Sequence, residues 1–456
     1  MNNAATTDSH VLRYQSGRGL DAVPGYRAGL QLRLSDGGHV YLALSTTELV
    51  FYFESNLAIH YDLEARLVKT AKPNEYWRRS LSHRGLFSRK RTREEGGGLE
   101  RVVLASDEVD ALVTEAHKQV KLVHNELQGG TASIEFGKPS SRETLNQIAP
   151  LLARVAQSDV EAAQLDAARF RNVYGHVAVL PPDEYNALVL QATEGCGYSG
   201  CLFCELYGGV QFRAKTTAEF EQHLRDVVTF HGASLRSRRS IFFGEANALT
   251  LPQATLMEML RVVNEHFELP PTEEHKTPAN WWLGSETRFA GIASFMDVFT
   301  GVPRSVAEFV DLWRLGLQRV YIGMESGDDA LLKWLRKPAS AEAVIKHVRC
   351  LKEAGIAVGV IVLMGAGGQR FAAAHERETA RALNALPLGR DDYIYFSPLS
   401  IYPGGPYSAQ ALAQNIEPLS PAQMDGQENA IRDALRFDSD RGHPYLAHYE
   451  METFVY

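Results

Sequence analysis

Cysteine is scarce in this 456-residue chain, which contains only Cys196, Cys201, Cys204 and Cys350. Three of the four fall within nine residues, an arrangement that suits a metal site better than a disulfide framework. The one remaining cysteine cannot complete a second all-cysteine cluster. The chain also lacks any run of about 18 apolar residues, so no membrane-spanning helix is expected.

Positive charge is in deficit, with 47 Lys and Arg against 55 Asp and Glu and a formal net charge of −8. This balance argues against a general polyanion binder, although a local basic patch is compatible with it. Residues 1–17 are polar and lack the apolar core of a signal peptide. We therefore expect a cytoplasmic protein whose first 24 residues are disordered.

The apolar pattern predicts a smaller α+β domain over residues 25–180. Short strands are expected within 27–69, where Gly37 and Gly38 separate two apolar runs. Helical periodicity follows over 107–127 and 142–168.

The rhythm then changes to alternating short apolar strands and amphipathic helices, which predicts an α/β domain over 181–402 and a C-terminal extension over 403–456. Six strands are predicted, at 187–191, 240–243, 292–298, 319–324, 356–364 and 393–397. Six βα repeats are typical of a partial, TIM-like (β/α)6 barrel, whose chemistry is expected at the carboxyl ends of the strands.

The segment 194–204 carries the three clustered cysteines directly after the first of these strands. Three thiolates on one short loop can bind three irons of a cubane cluster and leave the fourth iron open to a ligand. Glycines between the cysteines let the backbone wrap around a cluster, and Phe203 can shield it from water.

Two other interpretations of the cysteine loop are a zinc site and a redox-active thiol loop. Structural zinc requires four ligands, and the nearest histidines, His176, His223 and His231, do not have the spacing of a zinc motif. A redox loop would use a Cys-x-x-Cys pair in a thioredoxin-like pattern, which is absent. An iron–sulfur cluster therefore explains the segment best.

The cysteine segment resembles the signature of the radical S-adenosylmethionine (radical SAM) superfamily, which has three cysteines and an aromatic residue before the last. The first gap holds four residues here and three in the usual signature, whereas the second gap and Phe203 match. The resemblance implies a [4Fe–4S] cluster on Cys196, Cys201 and Cys204, with SAM as cofactor. It also implies reductive cleavage of SAM to a 5′-deoxyadenosyl radical that abstracts hydrogen from a substrate, with an electron donor such as flavodoxin or ferredoxin.

Further residues match the superfamily at the ends of later strands. Gly244 and Glu245, after the second strand, are similar to the Gly-Gly-Glu motif that contacts the methionyl amino group. Glu325 and Ser326, after the fourth, lie in a Gly-x-Glu-Ser-Gly segment, and the resemblance implies that they hold the polar end or ribose of the cofactor. A helix cap at Asp328 would explain the same segment without a cofactor.

Basic residues near these motifs are candidates for neutralising the cofactor carboxylate or the charge of the cluster. They are Arg213, Lys215 and Arg336, and for each a solvated surface position is an equal alternative. Asp297, near the end of the third strand, is a candidate for a ribose or substrate contact.

The substrate is not readable from the sequence. No Asp-x-His-x-x-Gly cobalamin signature is present, which disfavours cobalamin-dependent methylation. The basic stretch 78–93, with Trp77 and Phe87 interleaved, is compatible with RNA binding, but a solvated loop or a surface for an acidic protein is favoured, and with it a small-molecule substrate. The connection over 270–289 is either a lid or a surface insertion. An iron–sulfur sensor or electron carrier is the alternative to an enzyme.

Overall fold

The structure, a computed structural model, describes residues 26–92, 98–270 and 282–456. The expected disordered terminus over 1–24 lies outside these residues, as does 271–281, the centre of the connection over 270–289. The chain divides into two compact units. The first comprises Met1–Gly175, Phe230–Ser237 and Val455–Tyr456, and the second comprises His176–Thr229 and Arg238–Phe454. None of the described helices is long and apolar enough to cross a membrane.

Among the described residues of the first unit, nine strands form one antiparallel sheet in the order β8-β7-β6-β5-β4-β3-β2-β1-β9. They are β1 (Tyr26–Arg33), β2 (His39–Ser45), β3 (Glu48–Phe53), β4 (Ala58–Asp62), β5 (Leu67–Lys72), β6 (Glu75–Arg79), β7 (Gly85–Lys90), β8 (Leu99–Leu104) and β9 (Ser133–Lys138). The strands predicted within 27–69 are confirmed. Much of the basic stretch continues the same sheet as β6 and β7, and its last residue, Arg93, lies outside the described residues.

Helices α1 (Ser106–Gln128), α2 (Ser141–Val155) and α3 (Val160–Tyr174) complete the first unit. Alternate apolar residues of the sheet form a buried core with α1 and α2, among them Leu30, Leu42, Phe51, Ile59, Val113, Val120, Ile148 and Leu152. The helical stretch predicted over 142–168 is broken in two, because the Asp159 carboxylate accepts a hydrogen bond from the Ala162 N–H at 2.9 Å and starts a new helix.

Among the described residues of the second unit, seven parallel strands form the main sheet, in the order β10-β13-β14-β15-β16-β17-β18. They are β10 (Leu188–Gln191), β13 (Ile241–Gly244), β14 (Ile292–Phe295), β15 (Leu317–Glu325), β16 (Ala357–Met364), β17 (Tyr393–Pro398) and β18 (Tyr445–His448). The six predicted strands and the partial-barrel fold class are confirmed. The seventh strand lies in the segment that the sequence left as an extension.

The helices of the second unit follow these strands, as a βα pattern requires. They are α4 (Thr217–His231), α5 (Gln253–His266), α6 (Val306–Arg314), α7 (Asp329–Trp334), α8 (Ala341–Glu353), α9 (Gly368–Asn384), α10 (Pro406–Ala413) and α11 (Pro421–Ala434). A separate pair of two-residue strands, β11 (Thr193–Glu194) and β12 (Arg213–Ala214), lies just beyond β10.

Polar side chains meet at the amino ends of the strands. The Asp183 carboxylate accepts hydrogen bonds from the Tyr395 hydroxyl at 2.6 Å, the Tyr321 hydroxyl at 2.7 Å and the Arg319 guanidinium at 2.9 Å. Glu184 beside it accepts a hydrogen bond from the Ser240 hydroxyl. These bonds tie β13, β15 and β17 to the segment before β10, at the end of the barrel where residues serve stability.

Candidate cluster and cofactor site

The cysteine loop leaves the carboxyl end of β10 and is closed at its base by β11 and β12. Glu194 on β11 accepts hydrogen bonds from Arg213 and Lys215, each at 2.8 Å. These two bonds hold the pKa of Glu194 at about 2, so the carboxylate stays ionised. Arg213 also donates to Glu219 at 2.8 Å. Arg213 and Lys215, which the sequence analysis named as candidates for neutralising the cofactor or the cluster, are thus paired with carboxylates of the chain. These ion pairs hold the base of the cysteine loop together.

The three cysteines lie along this loop as free thiols, with Cys196 and Cys201 partly buried and Cys204 exposed. Burial raises the pKa of Cys201 to about 12, against the opposing effect of the Lys337 ammonium, and the thiols of Cys204 and Cys196 add smaller increases.

The chemistry of the donor set fits an iron–sulfur cluster. A cubane cluster gives each thiolate its own iron, so its ligands do not have to meet at a point. Three thiols in one glycine-containing loop satisfy that requirement and leave one iron without a protein ligand.

Aromatic packing fixes the loop against later strands. The Tyr198 hydroxyl donates to the Arg336 carbonyl at 2.7 Å, and its ring meets the Phe299 ring edge-on with centroids 5.4 Å apart. The Leu202 N–H donates to the Leu335 carbonyl at 3.0 Å. The loop is therefore fastened to the segments that follow β14 and α7.

An ion pair lies beside the thiols. Lys337 Nζ, just after α7, lies 2.8 Å from Glu325 Oε1 at the carboxyl end of β15, and both side chains are buried. The ammonium lies 5.9 Å from the centre of the Phe203 ring and 5.8 Å from that of Phe299. A Cβ atom at Gly323 would lie only 2.3 Å from Glu325 Oε1, so a larger residue at this position would displace the Glu325 carboxylate.

Lys337 was missed by the sequence analysis, which chose its neighbour Arg336. The Arg336 backbone has a φ of 55°, and its guanidinium donates to Gln410 on α10 at 3.1 Å. The sequence feature that could have indicated Lys337 is a glutamate at the end of a strand, followed after a short helix by basic residues. This feature does not show which of the two adjacent cations, Arg336 or Lys337, lies near the thiols.

Ser326 is fully buried, and its hydroxyl group is hydrogen-bonded to other groups of the protein. The Oγ atom lies 2.7 Å from His375 Nδ1 and accepts the Asp328 N–H at 3.0 Å. On the same helix α9, the Thr379 hydroxyl accepts the Gly327 N–H at 2.9 Å. These contacts hold the turn after Glu325 in place, and Asp328 caps α7 by accepting from the Ala330 N–H at 3.0 Å.

Gly244 ends β13 and Glu245 follows it as a buried carboxyl. Gln191 Nε2 donates to Glu245 Oε1 at 2.6 Å, and Tyr207 also hydrogen-bonds the carboxyl. Burial raises the pKa of Glu245 to about 7 despite these bonds. Two residues further on, the Asn247 amide lies 3.6 Å from Cys196 Sγ, so this segment borders the cysteine loop.

A small cleft of about 70 Å³ adjoins the loop after β14. Its lining includes Asp297, Phe299, Arg304 and His347. The Asp297 carboxylate accepts the Thr300 N–H at 2.7 Å and the Phe299 N–H at 3.0 Å. Asp297 thus shapes the wall of the cleft.

Known proteins match the region that holds this site. Residues 190–372 match the family model described as the Radical SAM superfamily. No curated protein matches the chain. Among solved structures, the chain is similar to the radical S-adenosylmethionine methyltransferase TsrM from Kitasatospora setae, with 17% identity over 50% of this chain and 37% of that one, at a TM-score of 0.35.

Two further solved structures are similar at the same level. Coproporphyrinogen III oxidase (HemN) from Escherichia coli is 13% identical over 58% of this chain and 55% of that one, at a TM-score of 0.36. Methylornithine synthase (PylB) is 14% identical over 62% of this chain and 75% of that one, at a TM-score of 0.34. The chain spans well under half the length of the methyltransferase.

Proposed function

Residues 190–372 form a radical SAM domain, and from this premise we propose that the protein cleaves SAM at a [4Fe–4S] cluster held by Cys196, Cys201 and Cys204. The observation that supports this proposal most strongly is that the three thiols share one loop at the carboxyl edge of the parallel sheet, beside the buried Lys337–Glu325 ion pair. The protein is an enzyme, and SAM and the [4Fe–4S] cluster are the cofactors of its domain.

When bound, the cluster and SAM would supply one-electron chemistry: with an external reductant, SAM would give methionine and a 5′-deoxyadenosyl radical able to take a hydrogen atom from a substrate. The chain's own residues supply binding, orientation and shelter from water. The Lys337 ammonium offers donors to a carboxylate, and Glu325 and Glu245 offer acceptors to an amino or hydroxyl group. The rings of Phe203, Tyr198 and Phe299 exclude water from the same space.

The positions of the predicted cofactor ligands suggest a division of roles. Glu325, together with Lys337, is suited to direct contact, and Gly244 and Glu245 are suited to the methionyl end. Ser326 and Arg336 act through the backbone segments that they hold, and Arg213 holds the cysteine loop closed.

We propose a small-molecule substrate, held at the carboxyl edge of the barrel near the cleft lined by Asp297 and Phe299. The contacts of the described part of the basic stretch favour a small-molecule substrate over RNA. Trp77 and Phe87 pair with each other across β6 and β7, with ring centroids 5.2 Å apart, whereas Arg78 lies on the opposite face of the sheet. Arg79 is buried and Arg89 is paired with Glu100 at 2.8 Å.

The electron donor that we propose is a flavodoxin or a ferredoxin, because one-electron cleavage requires a low-potential carrier. We also propose a cytoplasmic location, since the four cysteines are free thiols.

The test is anaerobic reconstitution with iron and sulfide, reduction with dithionite, addition of SAM and detection of 5′-deoxyadenosine by mass spectrometry. Wild type is expected to form 5′-deoxyadenosine, and the triple variant Cys196→Ala, Cys201→Ala, Cys204→Ala to lose both the iron and the product. Cys350→Ala is the matched control, because Cys350 lies on helix α8, and it is expected to keep both. An intact, reducible cluster that neither binds nor cleaves SAM would refute the proposal and favour an electron carrier or sensor.

A further inference from the structure

The small cleft beside the loop after β14 is lined by four parts of the second unit. They are the segment after β13, the segment after β14, helix α6 and helix α8, which contribute among others Thr250, Phe299, Phe309 and His347. Because β13 and β14 are parallel, the segments that follow them meet at the carboxyl edge of the sheet. The cleft therefore lies at the same edge as the cysteine loop.

Phe299 lies between the cleft and the cluster site. Its side chain lines the cleft, and its ring meets the ring of Tyr198 in the cysteine loop edge-on, with centroids 5.4 Å apart. Lys337 Nζ lies 5.8 Å from the centre of the Phe299 ring. A group that fills the cleft is therefore one aromatic ring away from the cluster site.

Arg304 joins two walls of the cleft. Its Nε atom donates to Gln253 Oε1 at 2.9 Å, and its two terminal nitrogens donate to the carbonyls of Leu249 and Leu251. These three bonds hold the segment after β14 against the segment after β13. The cleft thus has fixed walls before any ligand enters.

The guanidinium of Arg304 also has unused capacity for an anion. Of its five N–H groups, three are donated, and all three go to neutral oxygen atoms. Among the described residues, no carboxylate lies within ion-pair distance of Arg304. Burial lowers the pKa of Arg304, and the Glu308 carboxylate opposes this effect without forming an ion pair. A partly buried cation of this kind is stabilised when an anion binds to it.

His347 on α8 supplies a second polar group to the cleft. Its Nδ1 atom lies 2.8 Å from the Ala343 carbonyl oxygen, and because a carbonyl only accepts, Nδ1 carries the proton. In the part of the chain that the structure describes, Nε2 has no hydrogen-bond partner. This nitrogen can donate to an anion when the ring is protonated and can accept from a hydroxyl when it is neutral.

Asp297 is the acidic group in the lining, and its carboxylate is already hydrogen-bonded. It accepts the N–H groups of Phe299 and Thr300 and the Thr300 hydroxyl, the last at 2.6 Å. Its charge raises the pKa values of Cys196 and Lys337, so it lies toward the cluster site. The basic groups Arg304 and His347 are therefore the ones left to bind a ligand in the cleft.

The volume of the cleft limits the size of the ligand group. One water needs about 10–15 Å³ of this kind of volume, so 70 Å³ holds a group of about five to seven non-hydrogen atoms. A phosphate group, or a carboxylate with its first carbons, has this size. A larger molecule would place one end in the cleft and the remainder outside it.

We propose that the cleft binds an anionic group of the substrate, a carboxylate or a phosphate, through Arg304 and His347. The remainder of the substrate then extends past Phe299 toward the cluster site. This role rests on the radical SAM function proposed above, because the anionic group belongs to the molecule that gives up the hydrogen atom.

The test is a fluorine NMR titration of the full-length, cluster-loaded, oxidised protein, with saturating SAM present to occupy the cofactor site. Trifluoroacetate probes a carboxylate and fluorophosphate probes a phosphate, whereas trifluoroacetamide matches trifluoroacetate in size without its charge. One or both anions are expected to bind saturably and about tenfold or more tighter than trifluoroacetamide, because the hydrogen bonds to Arg304 are charge-assisted. A preference between the two anions identifies the group.

Variants then locate the binding. Arg304→Gln is expected to weaken anion binding by about tenfold or more, and Arg304→Lys to retain part of it. His347→Leu leaves the bonds of the walls intact and is expected to weaken binding by about threefold, as the loss of one hydrogen bond predicts. The matched control is Arg314→Gln, because Arg314 lies in the last turn of α6 and pairs with Asp311 at 3.5 Å. It is expected to leave the affinity unchanged.

Reduction of the cluster tests whether the anion lies near it. Dithionite, added without SAM, makes the cluster paramagnetic and is expected to broaden the fluorine signal of the bound anion further. If Arg304→Gln lowers the thermal unfolding temperature, His347→Leu decides whether the cleft is the binding site.

Four outcomes would overturn the proposal. They are no saturable binding of either anion, equally tight binding of trifluoroacetamide, displacement of the anion by SAM, and equal weakening by Arg304→Gln and Arg314→Gln. Failure of the radical SAM function looks different, because a protein that does not bind or cleave SAM would still bind the anion at Arg304.

Discussion

Lys337 Nζ and Glu325 Oε1 are joined by a 2.8 Å ion pair that is buried beside the cysteine loop. Burial alone would disfavour the charge on Lys337, but the carboxylate of Glu325 raises the pKa of Lys337 above its usual value, so the ammonium stays charged. A buried ion pair of this kind adds little net stability compared with an apolar pair, but breaking it leaves one charge without a partner. Its position next to three thiols therefore suggests a functional role.

We expect Lys337→Met to lower the free energy of unfolding by about 3–5 kcal/mol, because Glu325 is left buried and unpaired. The double variant Lys337→Met, Glu325→Gln is expected to recover most of that stability but not the affinity for SAM. Denaturant unfolding and equilibrium binding of SAM, measured on the reconstituted protein, separate the two effects. Full recovery of SAM affinity in the double variant would contradict a binding role for the pair.

Gly323→Ala tests the same pair without removing a charge. The added Cβ would lie 2.3 Å from Glu325 Oε1 and 3.1 Å from Lys337 Nζ, so the pair has to move. We expect weaker SAM binding and a loss of about 1–3 kcal/mol of stability from overpacking. Gly426→Ala is the control, because nothing lies within 4 Å of its added Cβ and it sits within helix α11. It is expected to be neutral or stabilising by up to about 1 kcal/mol. Equal SAM affinity in both variants would argue against the pair as a ligand contact.

Thr379→Val tests how the turn after Glu325 is held. The Thr379 hydroxyl accepts the Gly327 N–H inside the protein, so valine leaves that donor buried without a partner. A loss of about 1–3 kcal/mol is expected, together with weaker SAM binding because Glu325 shifts. Thr379→Ser keeps the hydroxyl and is expected to restore most SAM affinity. A valine variant that is destabilised but binds SAM normally would limit Thr379 to a structural role.

Glu184 predicts a dependence of stability on pH. Burial raises its pKa from 4.5 to about 7 in the folded protein. The folded state then binds the proton more tightly than the unfolded state, so the stabilising contribution is full below pH 4.5 and is lost as the pH rises through about 7. Glu184→Gln is expected to remove this contribution, which changes the free energy of unfolding by at most about 3 kcal/mol between pH 4.5 and 8. Guanidinium midpoints at pH 5 and pH 8 measure it.

Glu245 also contributes to the dependence of stability on pH, because burial raises its pKa to about 7 as well. Glu184→Gln is therefore expected to make the dependence of stability on pH shallower without abolishing it. A variant whose slope equals that of wild type would show that Glu184 titrates normally.

The cysteine loop and the order of the barrel strands could be predicted from local features of the sequence. Strand and helix periodicities are local properties of the chain, and three cysteines within nine residues restrict the metal chemistry without further context. The ends of β13 and β15 were located in the same way, and with them Glu245 and Glu325. The seventh strand, β18, was not predicted, because Tyr445–His448 has only four residues and none of them is buried.

The contacts between side chains, in contrast, depend on the three-dimensional fold. Arg336 and Lys337 are adjacent in the sequence and chemically similar, yet the φ of 55° at Arg336 accompanies its contact with α10, whereas Lys337 pairs with Glu325. Ser326 is held by His375, 49 residues away. Side-chain partners are set by long-range packing, which a local sequence pattern does not contain.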